Sequence, residues 1–268
     1  MALLSVFLPV NDLNIAGMTM SVYNLISQYI LIIGSIVALV FLAVAGNEKR
    51  AAAGLTRQNW KSAVLIVLAF VGIYIVRTVV SVAVQGVSDG SGMQYVKEWA
   101  AMFKNPMMWL NIAALPINYF FVFIAFFGEE YGWRYYLQPV LQKRFGLREG
   151  VIILGVVWGL WHIPDDLFYY TQTSGIQMIF AQQITCISLG IFFAYAYMKT
   201  QNIWVPVCLH YLNNNLIPII SGTFSADVLE NQTVSWKDLP VALVLNGLCF
   251  GFFLLADVFK KKEVQEEE

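Results

Sequence analysis

Long uncharged runs, separated by short polar or basic segments, dominate the chain. A helix that spans a bilayer needs roughly 20 mostly apolar residues, and seven stretches qualify: 22–45, 62–85, 109–130, 150–170, 176–198, 203–221 and 239–259. Residues 1–18 are also apolar but are interrupted by Pro9, Asn11 and Asp12. The pattern predicts an all-α, polytopic membrane helix bundle of about seven transmembrane helices, or eight if residues 1–18 also cross.

Composition supports a membrane protein. The chain is 59% hydrophobic and 12% charged, with a mean hydropathy of +0.65, whereas soluble domains carry about 25% charged residues. No long polar linker divides the sequence, so we predict a single domain over residues 1–268, and nothing in it predicts a nucleic-acid partner. Cys186, Cys208 and Cys249 all lie in apolar runs, which favours core positions over a disulfide framework.

The distribution of Lys and Arg predicts the orientation, because cytoplasmic loops carry the excess of these residues. One side holds Lys49, Arg50, Arg57, Lys61, Arg134, Lys143, Arg144, Arg148, Lys199 and Lys260–Lys262, and the other holds Lys97, Lys104 and Lys237. We therefore expect a cytoplasmic C-terminus. The stretch 136–146 mixes apolar and basic residues and predicts a short amphipathic helix along the cytoplasmic interface.

A pair of carboxylates, Glu129 and Glu130, closes the uncharged run 109–128. Carboxylates at membrane depth are costly, and by default they mark function. Arg134 follows Glu130 at i+4 and can pair with it on one helix face. Glu129 points about 100° away, so it is the candidate general base. The alternative is that both carboxylates are merely solvated at the interface.

The two histidines of the chain also lie in apolar segments. His162 shares a helix face with Trp158 and precedes Pro164, which predicts a kink there. His210 and Asn214 share a face of another segment. Each pair alone is typical of core packing or of hydrogen bonding between helices, but together with the carboxylates they indicate a hydrolytic site. We expect it as a cavity in the cytoplasmic half of the bilayer.

The order of these motifs resembles a known family. Glu129-Glu130-x-x-x-Arg134, then Trp158-x-x-x-His162, then His210-x-x-x-Asn214, on separate spans, is similar to the CPBP (Abi) family of intramembrane proteases. That family includes type II CAAX prenyl endopeptidases and bacterial bacteriocin-processing or self-immunity proteins. The resemblance covers about residues 109–221, and its one departure is Trp158 where many members have Phe.

The resemblance implies peptide-bond hydrolysis by activated water. In the family pattern Glu129 activates the water and His162 helps to hold it. His210 and Asn214 stabilise the oxyanion. No cofactor is implied, although Glu129, His162 and His210 remain alternative zinc ligands despite the absence of an HExxH motif.

The remaining motif residues, Glu130, Arg134 and Trp158, take supporting roles in this interpretation. The implied partners are membrane lipid and a membrane-associated peptide or lipidated protein C-terminus, in a bacterial or archaeal plasma membrane. Two alternatives stay open. One is a peptide-binding or bacteriocin self-immunity protein without turnover, and the other is a proton-coupled transporter that uses the carboxylates and histidines as a relay.

Three further polar residues have weaker interpretations. Arg77 lies in an apolar run near the outer end of its span, and we expect it to snorkel to the membrane surface. Asn213 and Asn215 flank Asn214 and are candidates for orienting its side chain.

Overall fold

The chain folds almost entirely into helices. The structure, a computed structural model, describes residues 13–15, 18–20, 22–46, 48, 54–55, 58–88, 90, 93–222 and 231–260. A short antiparallel hairpin, β1 (Leu13–Ile15) and β2 (Met18–Met20), precedes the helices and pairs Leu13 with Met20. The rest of residues 1–18, for which we predict an interfacial segment or an eighth span, lies outside the described residues.

The N-terminal half contains helices α1 to α4 and a π-helical segment. Their bounds are α1 Val22–Val44, α2 Trp60–Ser88, α3 Gln94–Met102, α4 Pro106–Glu130 and the π-helical segment Tyr131–Leu137.

The C-terminal half contains helices α5 to α10 and two short 3-10 turns. Their bounds are α5 Gln138–Phe145, α6 Leu147–Trp161, α7 Ile163–Phe168, α8 Gly175–Thr200, α9 Trp204–Ser221, α10 Asp238–Cys249, and the turns Gly251–Leu255 and Asp257–Phe259.

Five of the seven predicted spans coincide with a single helix each. The span 150–170 is divided between α6 and α7, and the span 239–259 is helix α10 followed by the two 3-10 turns. This helical content confirms the polytopic helix-bundle class. Within the described ranges, four helical stretches are long and apolar enough to cross a membrane: Trp60–Val87, Pro106–Phe145, Leu147–Phe168 and Gly175–Thr200. Shorter apolar helices occupy Ser35–Val44 and Asp238–Cys249. The number of seven crossings stays a prediction. Large apolar side chains on the outside, such as Phe120 and Phe121, are more than 70% exposed, as expected of lipid-facing residues.

The structure corrects the separate interfacial helix that we expected over residues 136–146. Those residues instead continue the third span, because α4, the π-helical segment and α5 form one stretch from Pro106 to Phe145. Gly146, with a φ of +106°, then reverses the chain into α6. The backbones of α5 and α6 approach so closely that a Cβ on Gly150 would lie 2.6 Å from Gln142 N.

This hairpin places the two motif-bearing helices in register. Glu130 and His162 each lie 16 positions from Gly146, so both are roughly 24 Å from the turn at 1.5 Å per residue. The Arg134 guanidinium lies 4.9 Å from the Trp158 ring, which agrees with that register. The Glu pair and His162 therefore lie at one depth in the bundle.

Helix α8 passes through the middle of the bundle, where Phe192 and Phe193 are fully buried. Its contact with α6 depends on small residues, a common feature of membrane helix pairs. A Cβ on Gly155 would lie only 2.6 Å from Ile187 Cα, and Gly190 faces the Gly155 backbone directly.

Gly155→Ala is expected to destabilise the bundle. The added methyl has no space against the α8 backbone, and overpacking of this kind costs roughly 1–3 kcal/mol. The matched control is Gly72→Ala in α2, where nothing lies within 4 Å of the added Cβ. Thermal unfolding of the detergent-purified variants should show a lower midpoint for Gly155→Ala only. Equal midpoints would show that α6 and α8 do not pack this closely.

Candidate functional site

A buried cluster joins Glu130 of α4, Arg134 of the π-helical segment and His210 of α9. Glu130 and Arg134 are fully buried, and Arg134 Nε lies 3.3 Å from Glu130 Oε2. His210 Nδ1 donates to Glu130 Oε1 over 2.9 Å. The predicted i, i+4 pair is therefore confirmed, and its carboxylate also binds the histidine of another helix. Such contacts are needed, because an unpaired charge is expensive to bury.

The Trp158 side chain joins the three motifs. Its ring lies 4.9 Å from the Arg134 guanidinium, 5.4 Å from the His210 ring and 5.9 Å from the His162 ring. The Phe193 ring also packs against Arg134, with its centroid 5.4 Å from the guanidinium carbon. Trp offers the strongest cation–π face of the aromatic side chains, which gives a physical reason for Trp rather than Phe at position 158.

His162 lies at a break between two helices. Helix α6 ends at Trp161 and α7 begins at Ile163, with Pro164 in its first turn, which confirms the predicted kink. The ring Nδ1 lies 2.8 Å from the Trp158 carbonyl oxygen. Because a carbonyl only accepts, Nδ1 carries the hydrogen, and the neutral ring keeps a lone pair on Nε2. His162 thus presents an acceptor away from its own helix.

Glu129 faces a cavity of about 430 Å³ at the junction of α1, α4 and the π-helical segment. The cavity lining is mostly apolar and aromatic and includes Trp161, the residue before His162. Within the part of the chain that the structure describes, no side chain donates a hydrogen bond to the Glu129 carboxylate. Its charge nevertheless interacts with Arg134 and His210. Among the described residues, Glu129 is therefore a carboxylate without a hydrogen-bond donor, beside the buried cluster.

Asn214 lies one turn beyond His210 on α9 and is exposed. Its Oδ1 accepts a hydrogen bond of 2.9 Å from Asn213 Nδ2. Among the described residues, no hydrogen bond joins Asn214, His162 and Glu129 to one another. Their convergence on a substrate therefore stays a prediction.

The first span contributes to the cavity, which the sequence did not indicate. Ser35 and Ala38 of α1 line it together with Glu129. Gly128 permits this approach, because a Cβ there would collide with the Ser35 hydroxyl. The sequence contains one indication of this contact, which is the small residue Gly128 between an aromatic run and the two carboxylates.

A zinc site would require several ligand side chains close to one another. In the described ranges, no three His, Cys, Asp or Glu side chains are grouped closely enough to hold a metal ion. Of the alternative ligands, His210 already uses Nδ1 to bind Glu130. That no cofactor is needed stays a prediction.

Fold and site define a polytopic helical membrane protein with a buried carboxylate, histidine and arginine cluster beside an apolar cavity. Residues 111–216, which include every motif residue, match the model of the Rce1-like family, type II CAAX prenyl endopeptidases. A protein named CAAX prenyl protease 2, from Methanococcus maripaludis, is 27% identical over 125 residues, covering 43% of this chain and 45% of that protein. No solved structure matches significantly. Over residues 111–216 the chain is therefore similar to the CPBP, or CAAX protease, family, and it spans about half the length of the relative that it matches.

Proposed function

We propose that this protein is an intramembrane endopeptidase that hydrolyses a peptide bond with water activated by Glu129. The observation that carries the proposal is the Glu129 carboxylate, which faces an apolar cavity without a hydrogen-bond partner among the described side chains and lies beside the Glu130–Arg134–His210 cluster. A general base must be within reach of the proton it removes, and the cavity gives water and substrate access to this carboxylate.

The proposed reaction needs no covalent intermediate. Glu129 takes a proton from water, while His162 Nε2 accepts the other hydrogen of that water and holds it. The oxygen attacks the peptide carbonyl carbon and forms a tetrahedral oxyanion. The C–N bond then breaks, and the leaving amine takes the proton from Glu129, which restores the carboxylate.

In this proposal His210 and Asn214 stabilise the oxyanion. His210 donates from Nδ1 to Glu130, and as an imidazolium it retains Nε2–H for a second acceptor. Donors aimed at the developing charge are among the largest contributions to catalysis. Glu130, Arg134 and Trp158 act as supports, because they hold the His210 ring in place.

The proposed substrate is a membrane-associated peptide, with a lipidated protein C-terminus as the favoured class. The cavity is mostly apolar, and Tyr136 and Trp161 at its edge are 68% and 54% exposed. An apolar group attached to the peptide can therefore enter from the bilayer and place the peptide beside Glu129. The name of the Methanococcus maripaludis relative favours a prenyl group.

The test compares one peptide with and without a C-terminal prenyl group. The purified protein in liposomes is incubated with each, and products are identified by mass spectrometry. We expect a single internal cleavage that is faster with the prenylated form. Binding of the peptide without any product would contradict the proposal and would support a peptide-binding or self-immunity protein.

Asn214→Ala separates water activation by Glu129 from zinc chemistry. Loss of one oxyanion donor costs about 2.7–4 kcal/mol of barrier, so turnover should fall by about 10² to 10³ with little change in KM. Activity should also survive a strong chelator. The control is Asn215→Ala, since Asn215 bonds to the Tyr211 carbonyl oxygen and Asn118. Activity that requires zinc and is insensitive to Asn214→Ala would exclude the metal-free mechanism.

A further inference from the structure

We propose that Tyr74 and Asn213 are positioning residues that hold the Asn214 amide with its N–H group towards the substrate. The inference rests on the proposed function and deepens it, because it explains how a side chain with two similar ends presents the correct one. Neither residue belongs to the motifs, and Tyr74 comes from α2, outside the matched segment 111–216.

The contacts form a directed chain of hydrogen bonds. The Tyr74 hydroxyl donates to Asn213 Oδ1, which leaves the Asn213 NH₂ group to point the other way. Asn213 Nδ2 then donates to Asn214 Oδ1 over 2.9 Å. The oxygen of Asn214 is thereby occupied, and its NH₂ group is the end left for a ligand.

The direction of this chain matters because the two ends of an amide are nearly equal in size but opposite in hydrogen-bonding character. When Nδ2 of Asn214 points towards the substrate, it donates a hydrogen bond to the oxyanion. When Oδ1 points towards the substrate, it repels the oxyanion. Only hydrogen bonds to neighbours select between the two orientations, and here the selection begins at the Tyr74 hydroxyl.

Tyr74 is itself firmly held. It is 5% exposed, and its ring packs at 4.9 Å from Phe70 and 5.0 Å from Phe250. The Arg77 guanidinium lies 5.7 Å from the ring, and Arg77 Nε donates to Asn246 Oδ1 over 2.8 Å. Arg77, which we expected to snorkel to the membrane surface, instead joins α2 to α10 inside the bundle.

On helix α9, Asn213 faces the supporting helix α2, and Asn214 faces away from it. Asn214 is displaced by about 40° from His210 around the helix axis, whereas Asn213 is displaced by about 60° in the opposite sense. Asn213 therefore faces α2, where Tyr74 lies. Asn214 is exposed on the side of His210, so the chain of hydrogen bonds ends at the open face.

The test is Tyr74→Phe, which removes only the hydroxyl and keeps the ring packing. We expect kcat to fall about fivefold to tenfold, the usual effect of one hydrogen bond, with KM and the unfolding midpoint nearly unchanged. In the Asn214→Ala background the same change should have no further effect on kcat. Asn213→Asp, which retains the shape and the acceptor but not the donor, should lower kcat at least as much as Tyr74→Phe.

The matched control is Tyr211→Phe, which removes a hydroxyl that donates to the Leu115 carbonyl oxygen and has no bond to Asn214. It should lower stability without changing kcat. If Tyr74→Phe lowers kcat equally with and without Asn214, or not at all, the positioning role is wrong and the proposed function stands. If the Asn214→Ala variant cleaves the peptide at the wild-type rate, Asn214 does not stabilise the oxyanion. The positioning role of Tyr74 and Asn213 is then wrong as well.

Discussion

Glu129→Gln is expected to abolish peptide cleavage and to leave the fold intact. The change removes the carboxylate that accepts the proton of water but keeps the shape of the side chain at the cavity wall. Loss of a general base costs about 10² to 10⁴ in rate. No side chain of the described residues donates a hydrogen bond to Glu129, so the neutral amide should leave no charge unpaired and the unfolding midpoint should change little.

The measurement is single-turnover cleavage of the prenylated peptide followed by mass spectrometry. Glu98→Gln is the matched control, because Glu98 is an exposed carboxylate on α3 that accepts a hydrogen bond from Gln94 one turn away. It should retain wild-type activity. Turnover by Glu129→Gln at the wild-type rate would remove Glu129 from the mechanism and leave Glu130 as the remaining carboxylate of the motif.

Arg134→Met is expected to have the largest effect on stability. Arg134 and Glu130 are both fully buried, and removing one partner of a buried ion pair costs about 3–5 kcal/mol because the other charge is left uncompensated. Met retains much of the length and apolar character of the side chain. The lost stability therefore measures the removal of the charge rather than the creation of a cavity. Denaturant unfolding in detergent, followed by tryptophan fluorescence, measures the change.

Two further variants identify the cause. Arg144→Met, which changes an exposed arginine of α5, should have little effect. The double variant with Glu130→Gln should recover part of the lost stability, because it also removes the unpaired charge. If the double variant is less stable than Arg134→Met alone, the unpaired charge is not the main cost. Lost packing against Trp158 and Phe193, or a weaker hydrogen bond from His210 to residue 130, then accounts for it.

Local features were predictable from the sequence because they depend on spacing alone. The Glu130–Arg134 pair, the shared face of Trp158 and His162, and the break at Pro164 all involve residues within about one helical turn. A helix places such residues together whatever surrounds it. The helical class followed equally from the length of the apolar runs.

The end of the third span was not predictable in the same way. The mixed pattern of residues 136–146 is typical of an interfacial helix, but those residues continue the long helix and pack against α6. Whether an amphipathic segment lies on the bilayer or against its neighbour depends on which surface buries more apolar area. That comparison requires the positions of other helices.

The sequence by itself determined that this is a polytopic helical membrane protein, and it identified the two carboxylates, two histidines and one asparagine proposed as its chemistry. The tertiary structure alone decided that His210 binds Glu130, that Trp158 contacts both histidines and Arg134, and that α1 lines the cavity of Glu129. It also decided that Tyr74 reaches Asn213. The physical reason is that contacts between helices depend on their register and rotation. These are set by the reversal at Gly146 and by close approaches at residues such as Gly155, and no spacing within a single helix specifies them.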